Sequence, residues 1–336
     1  MSKRPIIERI VPSAAIPGGE VAIDLASSPV GRTRAITVGE VSAHIVAASH
    51  KRILVLVPET ETGEVTVTRE NGTGTATLIV GGKIAGELHP VANPAFDPAD
   101  GSLYVTRSGA RGEHVPVSLY RVNSHGEVEE FSGDITNPTA IAFSPRGQMF
   151  VTSRFDGAVY RVSALNDCSV FASELGIATG LAFNADGEMF VGDRTGTIFK
   201  VNGIGETTEW ATHEPSVSAY HLAFGPDGAL YVSGPTVSSF DSITRFDKFG
   251  AADIFFHGLG RPQGLAFDVD GNLYVAASLR GRRGIVRISP DGGSAELLVA
   301  GMNVVGLAFG PDGQMVVATN DSVYRLNIGI DGLLVS

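Results

Sequence analysis

One short unit occurs six times along this 336-residue chain, with a period of about 40 residues, and this repeat restricts the folds open to it. Each copy has an apolar triplet ending in phenylalanine, a turn that is usually Asp-Gly, and two further apolar runs. An Asp-Gly turn between such runs predicts a small antiparallel sheet, which cannot bury its faces alone. The phenylalanines are Phe96, Phe143, Phe183, Phe224, Phe267 and Phe309.

Several strands in each unit and a period near 40 predict an all-β, six-bladed β-propeller over residues 83–336. The phenylalanine column is expected to wedge between neighbouring blades. Two segments are able to supply the outer strand of the last blade, residues 83–88 and the tail Leu333-Leu334-Val335. Either would close the ring and remove an open sheet edge.

Residues 1–82 lack the repeat and predict a separate domain. Val21, Ile23 and Leu25 alternate with small or polar residues, and similar alternating runs follow between turn residues. This pattern is typical of an immunoglobulin-like β-sandwich preceding the propeller. Gly81-Gly82-Lys83 predicts a hinge between the two domains.

Both parts resemble known families. The motif from Gly264 to Val275, GLAFDVDGNLYV, resembles the NHL and gluconolactonase-like propellers, a superfamily that includes the streptogramin lyases. That resemblance covers residues 84–336. The first segment resembles the IPT/TIG immunoglobulin-like domains at Pro17-Gly18-Gly19-Glu20-Val21 and at Gly63-Glu64-Val65-Thr66-Val67. The propeller resemblance implies a ligand site on the loop face, formed by the loops before the first strand and after the second strand of each blade.

One basic residue stands in the third strand of every blade. Six equivalent positions around a ring cannot converge on one ligand, so we expect these residues to pair with acidic groups of neighbouring blades. They are Arg121, Arg161, Lys200, Arg245, Arg287 and Arg325.

Seven arginines in the loops after the second strands predict a basic patch on an otherwise acidic protein of net charge −11. They are Arg107, Arg111, Arg154, Arg194, Arg280, Arg282 and Arg283. Planar guanidinium groups suit carboxylates and phosphates, so the predicted partner is an anionic small molecule, a glycan or a protein segment. The overall charge disfavours nucleic acid. The predicted ligand-binding residues are Arg107, Arg154, Arg194, His221 and Arg280.

The gluconolactonase resemblance also implies a divalent cation, Ca²⁺ or Mg²⁺, at the channel mouth. Asn93, Asp193 and His221 are the candidate ligands, although this set is incomplete. Thr139, Thr179 and Gln263 stand where the family places asparagine-type ligands. His221 is also interpretable as a buried structural histidine. A metal at these residues would polarise a carbonyl or activate water, as in a divergent lactonase-like hydrolase.

The leading hypothesis is a non-catalytic binding or scaffold propeller, with the metal-dependent hydrolase as the alternative. A third hypothesis makes the ring a structural part of a cell-surface assembly. The amino-terminal residues lack the apolar segment of a signal peptide, and no apolar run approaches the roughly 18 residues of a membrane span. A cytoplasmic location is therefore expected, or an extracytoplasmic one if a leader was removed.

Overall fold

The computed structural model describes residues 7–26, 35–69, 74–123, 125–238 and 240–333. In these ranges the chain forms β-strands, and its helical structure is a short 3₁₀ turn at Pro311–Gly313. No helix in the described ranges is long and apolar enough to cross a membrane.

The first nine strands form two facing sheets. The strands are β1 (Ile7–Val11), β2 (Ala14–Ala15), β3 (Glu20–Leu25), β4 (Ile36–Val38), β5 (Val41–Ser42), β6 (His44–Ala48), β7 (Arg52–Leu56), β8 (Gly63–Arg69) and β9 (Gly74–Val80). One sheet has the order β1-β3-β7-β6 and the other β2-β9-β8-β4-β5. Val21 and Ile53 of the first sheet share one core with Val67 and Leu78 of the second. The IPT/TIG assignment of this segment stays a prediction.

The remaining strands form six four-stranded blades. Blade one has β11 (Ala95–Phe96), β12 (Leu103–Thr106), β13 (Leu119–Val122) and β14 (Val128–Ser132); blade two has β15 (Pro138–Phe143), β16 (Met149–Ser153), β17 (Ala158–Val162) and β18 (Cys168–Ala172). Blade three has β19 (Ala178–Phe183), β20 (Met189–Asp193), β21 (Thr197–Val201) and β22 (Thr207–Thr212); blade four has β23 (His221–Phe224), β24 (Leu230–Ser233), β25 (Asp241–Phe246) and β26 (Ala252–Gly260). Blade five has β27 (Leu265–Phe267), β28 (Leu273–Leu279), β29 (Arg282–Ile288) and β30 (Ala295–Ala300); blade six has β31 (Val304–Phe309), β32 (Gln314–Thr319) and β33 (Val323–Asn327), completed by β10 (Gly82–Ala85).

The blades stand in a ring. The first strands contact one another in cyclic order from β11 through β15, β19, β23 and β27 to β31, and β31 contacts β11 again. The repeated phenylalanines lie between blades as predicted. The Phe224 ring packs on Phe190 of the preceding blade with centroids 5.1 Å apart, and Phe267 packs on Tyr231 at 4.8 Å. These edge-on contacts fill the wedge between adjacent sheets.

The segment before blade one closes the ring. Strand β10 pairs antiparallel with β33 and so becomes the outer strand of blade six. Of the two segments predicted to close the ring, the described residues therefore use the one that begins before blade one and not the tail. In the tail, Leu333 instead donates its N–H to the Phe267 carbonyl at 2.8 Å, on blade five. Leu334 and Val335 lie outside the described residues.

The predicted hinge at Gly81-Gly82-Lys83 is wrong, because this segment is hydrogen-bonded to the amino-terminal sheets at one end and to blade six at the other. The Gly81 N–H donates to the Ala15 carbonyl at 2.9 Å, and Gly82 begins β10. Strand β2 lies parallel to both β9 and β30. One sheet of the sandwich is therefore continuous with the outer strand of blade five.

Candidate functional site

Four of the six bases in the third-strand column, Arg121, Lys200, Arg245 and Arg287, form salt bridges, and their partners differ from those predicted. Arg121 pairs with Asp100 at 2.6 Å, Arg245 with Asp227 at 2.7 Å, and Lys200 with Glu188 at 2.7 Å. Each acid belongs to the same blade as its base, not to a neighbouring blade. Because the acid follows the first strand and the base lies on the third in these three pairs, each of them ties one sheet together across its second strand.

Three other arginines meet around one small cavity on the loop face. The cavity has a volume of about 170 Å³ and is lined by Arg111, Arg154, Phe155, Ile177 and Arg194. Arg111 comes from the loop between β12 and β13, Arg154 from the turn after β16, and Arg194 from the turn after β20. Three consecutive blades therefore each direct one guanidinium to the same space.

These three guanidinium groups lack acidic partners. Within the described ranges, none of them forms a salt bridge. Arg154 is half-buried; its Nη2 donates to the Gly109 carbonyl at 3.3 Å, and its buried Nε has no hydrogen-bond partner. Burial lowers the pKa of Arg154, and the charges of Arg194 and Arg111 lower it further. The cavity thus brings three basic side chains together without a salt-bridged acid.

A buried asparagine positions the loop that carries Arg111. The fully buried Asn137 side chain donates to the carbonyls of Gly109 and Ala110 at 3.0 and 2.8 Å and accepts from the Gly112 N–H at 2.7 Å. Its backbone φ of 48° is one that asparagine tolerates better than most residues. Three hydrogen bonds from one amide therefore hold residues 109–112 against blade two.

Asp193 positions the opposite wall of the arginine cavity. Its Oδ1 accepts from the N–H groups of Ile177 at 2.9 Å and Thr195 at 3.0 Å, and its Oδ2 accepts from the Thr195 hydroxyl. These bonds fix the residues on both sides of Arg194. The carboxylate is buried by the turn that it organises.

The other predicted ligand-binding residues lie elsewhere. Arg107 donates to the Tyr120 hydroxyl at 3.0 Å within blade one. Arg280 is exposed on blade five, where Arg280 and Gly281 form a two-residue hairpin turn with positive φ at both positions. His221 faces the central channel. Of the predicted set, the structure brings together Arg154 and Arg194.

The central channel encloses a second cavity, of about 450 Å³. Its lining consists mainly of apolar residues of the six first strands, and it also includes Asn93, Asp97 and His221. The Asn93 amide donates to the Leu265 carbonyl at 2.9 Å and accepts from the Leu307 N–H at 3.0 Å, so it joins blades five and six. His221 is 5% exposed, and burial lowers its pKa to about 4, which makes its imidazole neutral at pH 7.

The proposed metal ligands do not form one set. Asn93 and His221 line the channel cavity, whereas Asp193 is absent from its lining. Both polar ends of the Asn93 amide already bond to backbone, and the Asp193 carboxylate is committed to its own turn. The described residues also contain no group of three His, Cys, Asp or Glu side chains able to hold a metal. These residues do not fit the implied cation, and the metal assignment stays a prediction.

Four contributors to the arginine cavity were not selected from the sequence, namely Arg111, Asn137, Phe155 and Ile177. Arg111 was one of seven loop arginines, without a signal that set it above Arg107. Asn137 carried a detectable signal, since it immediately precedes Pro138 at the loop-face entry to blade two. Asparagine is enriched in left-handed and turn conformations, so such a position is a candidate for loop organisation.

Solved structures of other proteins share this fold. An auxiliary nutrient binding protein from Bacteroides thetaiotaomicron aligns over 97% of this chain and 98% of its own, with 14% identity and a TM-score of 0.58. A gluconolactonase from Xanthomonas campestris aligns over 73% and 88%, with 16% identity and a TM-score of 0.58. A catalytically inactive virginiamycin B lyase from Staphylococcus aureus aligns over 92% and 99%, with 13% identity and a TM-score of 0.54.

No family model and no curated protein matches the chain by sequence. At these identities the structural likeness defines the fold alone, a β-propeller like those of the gluconolactonases and streptogramin lyases.

Proposed function

We propose that this protein is a binding propeller that recognises an anionic group in the cavity between Arg111, Arg154 and Arg194. The observation that carries the proposal is the convergence of three guanidinium groups without an acidic partner among the described residues. Like charges held together repel one another, and an anion between them replaces that repulsion with attraction. Guanidinium groups also match the oxygens of carboxylates and phosphates in geometry.

The size of the cavity favours a small anionic group. At about 30 Å³ per water, 170 Å³ holds roughly five waters or one phosphate, sulfate or carboxylate group with its first waters.

The wall beside the arginines favours an anion attached to an apolar or aromatic body. Phe155 is 54% exposed and lies between Arg154 and the Gly112 segment. An exposed ring next to cations binds the flat face of a ligand while the cations bind its charged end. The nutrient-binding role named for the Bacteroides protein is a precedent for ligand binding by this fold, and the likeness does not extend to a ligand.

Thermal unfolding in phosphate tests the proposal. At constant ionic strength, replacing chloride by inorganic phosphate should raise the unfolding midpoint of the wild-type protein, because a ligand bound only to the folded state stabilises it. The Arg154→Gln/Arg194→Gln variant should lose this shift. The control is Arg146→Gln, since Arg146 is exposed in the turn between β15 and β16, away from the loop face. Equal phosphate shifts in all three proteins would refute the proposal.

A further inference from the structure

We propose that the central channel is a second binding site, independent of the arginine cavity, for an uncharged and mainly apolar small molecule that hydrogen-bonds to His221. The channel cavity of about 450 Å³ is in the size range of small-molecule sites. Its lining is mainly apolar and also contains the His221 imidazole, the Asn93 amide and, at the end formed by the turns between first and second strands (the turn face), the Asp97 carboxylate.

The two ends of the channel differ in access to solvent. At the loop-face end, Ala92, Gly180 and His221 are buried, and Asn93 and Ala140 are partly exposed. At the turn-face end, Pro98 and Pro311 are exposed, and Leu333 forms part of the rim. A ligand would therefore enter between the Asp-Gly turns and reach His221 at the far end.

The wall of the channel determines the class of ligand. Because alanine is small, the first-strand triplets leave open space around the axis of the ring. Leucine and phenylalanine residues of the same triplets also line this space. A charged molecule would lose its hydration there without gaining a counter-charge along the wall, so the occupant is expected to be neutral. Asp97 is the acidic side chain of the lining, and it lies at the turn-face rim, where its Oδ1 accepts from the Ala99 N–H at 2.8 Å.

His221 supplies the specific polar contact. Among the described residues, no side chain or backbone group hydrogen-bonds to its ring, and its burial is the cause of its lowered pKa. The other amide-bearing side chain of the lining, Asn93, lies in the segment before blade one and is already bonded at both ends to blades five and six. A ligand hydroxyl satisfies the imidazole while the rest of the molecule occupies the apolar wall.

Equilibrium dialysis with 2-naphthol and naphthalene tests the inference. The wild-type protein should bind one molecule of either probe, with 2-naphthol about fivefold tighter because of one neutral hydrogen bond. In His221→Phe, naphthalene binding should persist and the preference for 2-naphthol should disappear. A wild-type protein that binds neither probe, or a preference that survives in His221→Phe, would overturn the inference.

A cavity-filling variant locates the probe. Ala142 and Ala266 line the channel from opposite blades, two and five. Ala142→Leu/Ala266→Leu should weaken naphthalene binding by about tenfold or more by occupying this space. Ala251→Leu, at an exposed turn position, should bind like the wild type. Unchanged binding by the filled variant would overturn the inference.

Neither naphthalene nor 2-naphthol is anionic, so failure of these probes to bind is distinguishable from failure of the arginine site.

Discussion

The side-chain oxygen of Asn93 occupies the space in which a β-carbon on Gly264 would lie. The segment before blade one therefore packs against the start of blades five and six at the loop-face end of the channel. We predict that Gly264→Ala lowers the free energy of unfolding by about 2 kcal/mol, the cost of overpacking a filled core. Urea unfolding measures this change.

The matched control is Gly203→Ala. An added β-carbon at Gly203 meets nothing within 4 Å, so this substitution should change stability by less than about 0.5 kcal/mol. The Gly306 α-carbon also lies 2.6 Å from the added β-carbon, so removing the Asn93 side chain should relieve part of the cost, and Gly264→Ala should cost less in an Asn93→Ala background. Additive effects of the two substitutions would contradict the assigned contact.

The buried His221 should make stability depend on pH. Burial lowers its folded-state pKa to about 4, below the roughly 6.5 of an unfolded histidine. Since the unfolded chain binds the proton more tightly, this contribution to stability is complete above pH 6.5 and is lost as pH falls toward 4. Between pH 7 and 5, the wild type should lose about 2 kcal/mol more than His221→Phe. Parallel urea titrations of both proteins measure this, and equal losses would place the imidazole in solvent.

Phe155 should distinguish an organic anion from a simple one. We expect phenyl phosphate to bind about fivefold more tightly than inorganic phosphate, because its ring gains an aromatic contact. Calorimetric titration of Phe155→Ala should give similar affinities for both ligands, with phosphate binding retained. A preference for phenyl phosphate that persists in this variant would exclude Phe155 from the site.

The sandwich and the ring should unfold together. Strand β2 shares main-chain hydrogen bonds with β30, and the Ile16 N–H donates to the Ala300 carbonyl at 2.9 Å. Arg282 Nη2 also donates to the carbonyls of Val11 at 2.8 Å and Glu20 at 2.9 Å. Calorimetry should therefore show one transition.

Replacing the half-buried Arg282 by alanine should lower stability by about 2 kcal/mol, because two carbonyls lose a charged donor. Arg161→Ala, at an exposed position in β17, is the control. Two separate transitions in the wild type, or equal effects of the two substitutions, would contradict the rigid junction.

Local chemistry and the repeat made much of the fold predictable. The Phe-Asp-Gly spacing located the blades because each copy needs the same wedge and the same turn. The pairing of β2 with β30 was not predictable. A strand of two residues has no alternating pattern from which to predict its partner or register, and the partner lies almost 300 positions along the chain. Ring closure stayed open in the sequence because β10 and the tail are both short and apolar.

A basic site on the loop face was predictable from the sequence, but the particular residues that form it were not. A basic patch on the loop face followed from the arginine count, yet side-chain direction depends on loop conformation. Arg107 and Arg111 share one loop, but Arg107 turns back to Tyr120 while Asn137 holds the backbone on either side of Arg111. Asp193 suggested a metal ligand because it is an acid near the channel, whereas its oxygens bind neighbouring backbone and hydroxyl groups.

Soaking crystals in selenate tests the central claim most directly. Selenate resembles sulfate and phosphate in shape and charge, and its selenium is located by anomalous scattering. With crystals grown free of phosphate and sulfate, we predict an anomalous peak within hydrogen-bonding distance of the guanidinium groups of Arg111, Arg154 and Arg194. A map with no peak in this cavity, or with selenate bound only elsewhere on the protein, would contradict an anion-binding function for the loop face.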